Sequence, residues 1–146
     1  MGPQILRFKA LPDGFAALKA QAEAEDHMVL ERLSLFWKGG RYLEDADAAL
    51  MGAVSGEALI AIGEETFDDD NPHPDCRRIR DFDIAPAHPR AGLGRALPGA
   101  LIQDALDKAP ILHLPATYPA SLAFWDAIGF ARVEGRPDRT RRMTWA

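Results

Sequence analysis

The chain reads as a mixed α/β domain, an α+β fold in which one sheet carries helices on both faces. Three observations carry that reading. Short strand-like and helical segments interleave along the 146 residues, and two of the strands form a plausible hairpin around Ser55-Gly56. A strand–turn–helix unit runs from Ile79 to Ala109. Hydrophobic residues make up 47% of the chain, enough for a sizeable core.

The elements follow in order. Ile5, Phe8 and Leu11 mark a first strand, and Pro12-Asp13-Gly14 ends it and starts a helix. Phe15, Leu18 and Ala22 form one helical stripe. Met28, Leu30, Leu33, Phe36 and Trp37 form a second, with Asp26-His27 dividing the two and Gly39-Gly40 as its stop. Ala48–Val54 and Ala58–Ile62 are the hairpin strands, and Asp68–Pro74 is a polar loop. Arg78–Ile84 is the next strand. Gly94–Lys108 is a long helix in which Pro98 removes one backbone hydrogen bond, so a kink or loosened turn is expected there. Ile111–Leu114 is a strand, Pro119 opens another helix that stops at Gly129, and Ala131–Glu134 and Arg142–Trp145 close the sheet. No linker or repeat divides the chain, so residues 1–146 are expected to form one domain.

Composition excludes several classes. A net charge of −5 speaks against nucleic acid as a partner. Cys76 is the only cysteine, which rules out an intrachain disulfide and a cysteine-rich zinc cluster. His27, His73 and His88 show no metal-ligand spacing, so no metal is expected. No apolar run approaches the ~20 residues of a membrane span, and Met1-Gly2-Pro3-Gln4 does not resemble a secretory leader. A soluble, cytoplasmic protein is the expectation. No Gly-x-Ser-x-Gly occurs, which argues against a serine hydrolase of that type.

The Ile79–Ala109 unit is the strongest chemical signal. Small residues in Ala91-Gly92-Leu93-Gly94 let the backbone approach a phosphate, and the N–H groups of a first helical turn point at it. Stricter phosphate motifs do not fit. No Gly-Lys-Ser/Thr follows, and Leu97 stands where a dinucleotide fingerprint needs its third glycine.

The segment DIAPAHPRAGLGRAL resembles the acyl-CoA pyrophosphate loop of the GNAT superfamily, the acyl-CoA-dependent N-acyltransferases. That loop usually reads Gln/Arg-x-x-Gly-x-Gly/Ala after a strand. Tyr118–Phe130, YPASLAFWDAIGF, is similar to the family's second signature, a helix carrying an aromatic and ending in Gly-Phe. The two segments come in the family's order, and the resemblance covers Glu57–Ala146. It implies a GNAT-like, mostly antiparallel sheet and an acetyl group carried by acetyl-CoA as co-substrate. It also implies direct attack by an amine on the thioester. By that resemblance the backbone of Arg90, Ala91, Gly92, Leu93, Gly94, Arg95 and Ala96 would hold the pyrophosphate. Phe82, Asp83 and Ile84 would pair with the pantetheine arm, and Ser121 and Trp125 would flank it.

Two positions depart from the pattern. Pro89 occupies the Gln/Arg site and has no N–H to offer. Trp125 stands where many members carry a tyrosine that protonates the leaving thiolate, and an indole N–H is not an acid near neutral pH. The amine needs a base, and Glu64, Glu65, Asp81 and Asp83 are candidates on strands expected to flank the acceptor, with Asp81 first and Glu64 second. His113, in an apolar strand, reads as structural. The acceptor would be a small-molecule or peptide amine, and the last strands offer a sheet edge for a homodimer. The rival reading is a non-catalytic acyl-CoA-binding or scaffold protein of the same fold.

Overall fold

The computed structural model describes residues 3–38, 48–67, 75–85, 93–116, 119–134 and 141–144. Its elements run β1 (Gln4–Phe8), α1 (Phe15–Ala24), α2 (Val29–Lys38), β2 (Ala49–Ser55), β3 (Ala58–Phe67) and β4 (Cys76–Ile84). Then follow α3 (Leu93–Lys108), β5 (Ile111–Leu114), α4 (Pro119–Ile128), β6 (Ala131–Arg132) and β7 (Arg141–Thr144). The strands form one sheet in the order β1-β2-β3-β4-β5-β7-β6. Among the described residues only the β4–β5 pair is parallel; the others are antiparallel.

Helices α1, α2 and α3 each bury one stripe. Phe15, Leu18 and Ala22 are the buried residues of α1. Leu30, Leu33 and Trp37 are buried on α2, and Leu97, Leu101 and Ala105 on α3. These three- and four-residue steps are the helical period. The two faces of the sheet are separated by neighbouring residues of β3. A Cβ on Gly63 would meet Leu101 of α3, whereas the Glu64 side chain meets Trp37 of α2. Successive side chains of a strand point to opposite faces, so α2 covers one side and α3 the other. With both faces covered, β2 and β3 are buried almost end to end and show no alternation of exposure.

Helix ends explain two boundaries. At the end of α4 the Gly129 N–H donates to Asp126 O (3.1 Å) and the Phe130 N–H to Trp125 O (3.1 Å). This is the paired cap that needs a left-handed residue, and Gly129 supplies it at φ 123°. At the end of α1 the same pair of bonds runs from Asp26 to Glu23 O and from His27 to Ala22 O. There the left-handed residue is Asp26, at φ 62°. Helix α3 continues through Pro98, where the sequence suggested a kink or a loosened turn. Strand β3 extends to Phe67 and β4 starts at Cys76, both longer than the sequence suggested.

Candidate active site

Two irregularities of β4 build the site. The first is where its partner leaves. Strand β5 pairs with Cys76, Arg77 and Arg78 only. It then stays with β7, through Leu114 opposite Arg141. Among the described residues no strand pairs with that edge of β4 from Ile79 to Ile84, so the parallel pair ends after Arg78. Backbone N–H and C=O groups along such an edge are available to an extended ligand.

The second irregularity is a bulge. Glu64 pairs with Arg80 and Ile62 with Asp83, so two steps on β3 face three on β4. The additional residue is Asp81, held at φ 56°. A bulge of this kind re-aims side chains. Asp81 joins Arg80 on the α2 face, where the exposed Arg32 of α2 reaches its Oδ1 at 3.4 Å. Phe82 is sent to the other face, over Gly63 and against Phe124 and Trp125 of α4, with ring centroids 5.9 and 5.3 Å away. Asp83 and Ile84 continue the alternation opposite Ile62 and Ala61.

On the α2 face Glu64 is fully buried. The Trp37 indole N–H donates to its Oε2 at 2.6 Å. Arg80 Nε lies 3.5 Å from Glu64 Oε1 and 3.8 Å from Asp81 Oδ2. Burial, then the charge and hydrogen bonding of Asp81, push the Glu64 carboxyl far above the usual carboxylate range. Trp37 and Arg80 oppose that rise. Asp83, further along the same face, is raised to about 6 by burial, with His27 opposing and Glu25 adding to the rise.

The structure thus brings Asp81 and Glu64 together and leaves Asp83 beside them. Glu65 goes elsewhere. It faces α3, completely buried, where Arg77 of β4 and Lys108 of α3 engage it. It is a lock between layers rather than part of the Glu64–Asp81 face, and neither Glu64 nor Glu65 is a solvated strand-end carboxylate. Leu93 and Gly94 form the first turn of α3, and Arg95 and Ala96 are exposed on the next residues. The Arg95 guanidinium leans to Ala127 O at 3.5 Å, tying that turn to the end of α4. Ser121 is half-buried on α4. Trp125 is buried in a ring cluster with Phe82, Phe124 and Phe130. His113 is buried in β5. Arg90, Ala91 and Gly92, with Pro89 and Tyr118, lie outside the described residues.

Trp37, Arg80 and Arg32 were not legible as site residues. Trp37 falls on the apolar stripe with Leu30 and Leu33, so its polar tip gives no local signal. Its partner is 27 residues away. Among the described residues no group of three His, Cys, Asp or Glu side chains could hold a metal ion. No helix among them is long and apolar enough to cross a membrane.

Comparison with solved structures shows that this is the fold of the GNAT acetyltransferases. The chain is similar over 99% of its length to a presumed acetyltransferase from Exiguobacterium sp. 255-15, at 21% identity, TM-score 0.83 and 94% of that chain covered. A presumed GNAT-family acetyltransferase from Desulfovibrio desulfuricans matches at 16% identity and TM-score 0.74, over 99% of each chain. The PaiA N-acetyltransferase from Thermoplasma acidophilum, solved in complex with coenzyme A, matches at 12% identity and TM-score 0.66, over 99% of this chain and 100% of that one. No protein-family model matches the sequence, and no curated protein matches it significantly.

Proposed function

We propose that the protein is an acyl-CoA-dependent N-acyltransferase that moves an acetyl group from acetyl-CoA to an amine by direct attack. One observation carries the reading: the open edge of β4 and the buried Glu64–Asp81 pair meet at a single bulge. A thioester laid along Phe82–Ile84 would present its carbonyl beside carboxyls placed to take a proton from the amine.

The chemistry asks little of the protein. The amine nitrogen attacks the thioester carbon, the C–S bond breaks, and coenzyme A leaves as thiolate. Backbone N–H groups at the bulge would polarise the carbonyl, a preorganised contribution that costs no rearrangement during reaction. Asp81, with Glu64 behind it, would accept the proton that the ammonium must lose. The first turn of α3, with the preceding segment from Arg90, would hold the pyrophosphate at a helix N-terminus. Ser121 and the ring cluster around Trp125 would flank the pantetheine arm. No acid is required for departure, because a thiol with an ordinary pKa of ~8.5 is already a fair leaving group near neutral pH. Asp81 and Asp83 give a cationic small-molecule or peptide amine carboxyls to approach on the α2 face.

Trp125 favours a second reading. An indole packed among three phenylalanine rings stands where a tyrosine acid is usual, which suits a protein that binds acyl-CoA without turning it over. Calorimetric titration with acetyl-CoA, followed by thiol release across an amine panel, separates the two. Saturable binding lost in Gly94→Glu, together with amine-dependent thiol release, supports the enzyme. Binding without release supports the second reading, and no binding overturns both.

A further inference from the structure

We propose that Glu64 and Asp81 hold one proton between them, between Glu64 Oε1 and Asp81 Oδ2, and that Trp37 is the positioning residue that places it there. The inference concerns the acceptor side of the proposed site, and only its kinetic consequence rests on the acyltransferase reading.

The geometry points to it atom by atom. Each carboxyl has one oxygen engaged from α2: Glu64 Oε2 accepts the Trp37 indole N–H, and Asp81 Oδ1 faces Arg32. The remaining two, Glu64 Oε1 and Asp81 Oδ2, are buried and accept no hydrogen bond among the described residues. They are also the two oxygens nearest Arg80 Nε. A buried acceptor left unmatched costs about 1–3 kcal/mol. Two ionised carboxylates here would leave two such atoms and place like charges in a dry site. A single proton removes both faults, because the protonated oxygen donates to the other. An indole can only donate. By filling Oε2, Trp37 leaves Oε1 as the oxygen of Glu64 that carries or receives the proton.

Among the described residues the charged groups facing the pair are few. Arg80 comes from β4 and Arg32 from α2, with Arg78 and Asp83 further along the same face of β4. Strand β2 presents the apolar Leu50 opposite Glu64. With one proton held, the pair carries one negative charge balanced by Arg80. It can accept one further proton from an incoming ammonium and return it to solvent past the exposed Arg32.

The test needs no turnover. Side-chain carboxyl 13C NMR titration would be run on the wild type, Asp81→Asn and Trp37→Phe, with amide spectra confirming the fold of each. The expected result is a Glu64 carboxyl still protonated at neutral pH in the wild type. Its midpoint should fall by about one unit or more in Asp81→Asn, because the like charge is gone. In Trp37→Phe it should rise, because the donor to the ionised form is lost. A Glu64 carboxyl that titrates in the ordinary carboxylate range, or a Glu64 midpoint unmoved in Asp81→Asn, would overturn the proposal. A midpoint unmoved in Trp37→Phe would overturn the part given to Trp37. If an acceptor turns over, the acid limb of the kcat/KM profile should move with the NMR midpoint in each variant. A protein that acetylates nothing but shows these midpoints would refute the acyltransferase reading and leave the shared proton standing.

Discussion

Phe82 lies directly over Gly63. A Cβ built on Gly63 would stand 2.7 Å from Phe82 Cδ2 and 3.0 Å from Leu101 Cδ1. The bulge at Asp81 therefore depends on a residue of the neighbouring strand that has no side chain. The ring can cross to the α3 face only because β3 leaves room for it.

Gly63→Ala is expected to push the Phe82 ring off its seat and to destabilise the fold by about 1–3 kcal/mol, the usual cost of overpacking. Chemical denaturation measures it. Acetyl-CoA affinity should weaken as well, because the backbone at Phe82–Ile84 shifts with the ring. Unchanged stability would show that Phe82 has another place to go.

Asp81 needs both its backbone conformation and its charge. Asp and Asn tolerate the left-handed region; other side chains with a Cβ are penalised there by roughly 1–2 kcal/mol. Asp81→Asn should keep the fold and acetyl-CoA binding while amine-dependent turnover falls by about 10²–10⁴, the typical worth of a general base. Asp81→Val should lose stability too. Steady-state kinetics beside thermal unfolding would separate these effects, and an Asn variant with full turnover would remove Asp81 from the chemistry.

Glu65 and Arg77 are buried together, with Lys108 at 3.3 Å from the Glu65 carboxylate. Glu65→Ala would strand the Arg77 guanidinium in the interior and cost about 3–5 kcal/mol. Denaturant midpoints would show it. A loss under about 1 kcal/mol would mean that the pair behaves like an exposed one.

Stability should fall as pH rises from about 5 to 8. Burial raises Asp83 to about 6 and Glu65 to about 7, and Glu64 higher still. A carboxyl whose pKa is raised in the folded state binds its proton more tightly there than in the unfolded chain. Its favourable contribution is complete below the unfolded value of ~4 and is lost as pH passes the folded value. Melting temperature measured across that range should decline, and Glu64→Gln should flatten the portion above pH 7. A melting temperature that climbs from pH 5 to 8 would contradict the upward shift of these groups.

The ring cluster makes Trp125 a packing residue before anything else. Trp125→Phe keeps most of the ring contacts at the loss of some volume, so it should cost stability without abolishing thiol release. Suppose instead that maximal turnover drops by about a hundredfold or more at unchanged acetyl-CoA affinity. That result would assign the indole N–H to the leaving group, since it is the scale of a proton or hydrogen-bond donor in the transition state.

Most element positions were legible because they rest on local chemistry. Phe15, Leu18 and Ala22 repeat at helical spacing, Pro119 opens α4, and Gly129 closes it. Strand β3 was read short because Gly63, Glu64, Glu65 and Thr66 look like a polar exit, whereas the sheet buries all of them. The carboxyls Asp81 and Glu64 were recognisable as candidates. That they meet was not, because strict alternation along β4 would have placed Asp81 and Arg80 on opposite faces.

By itself the sequence determined which segments are helix or strand, roughly where they lie, and that a long helix follows the strand ending at Ile84. Those properties depend on spacing within a few residues. Only the tertiary structure decided which residues share a face. One additional residue in β4 reverses every side chain beyond it, and whether the chain bulges there depends on Gly63 of another strand and on Trp37 and Arg32 of a helix. Contacts made across 27 or 49 positions of the chain leave no periodic trace in it.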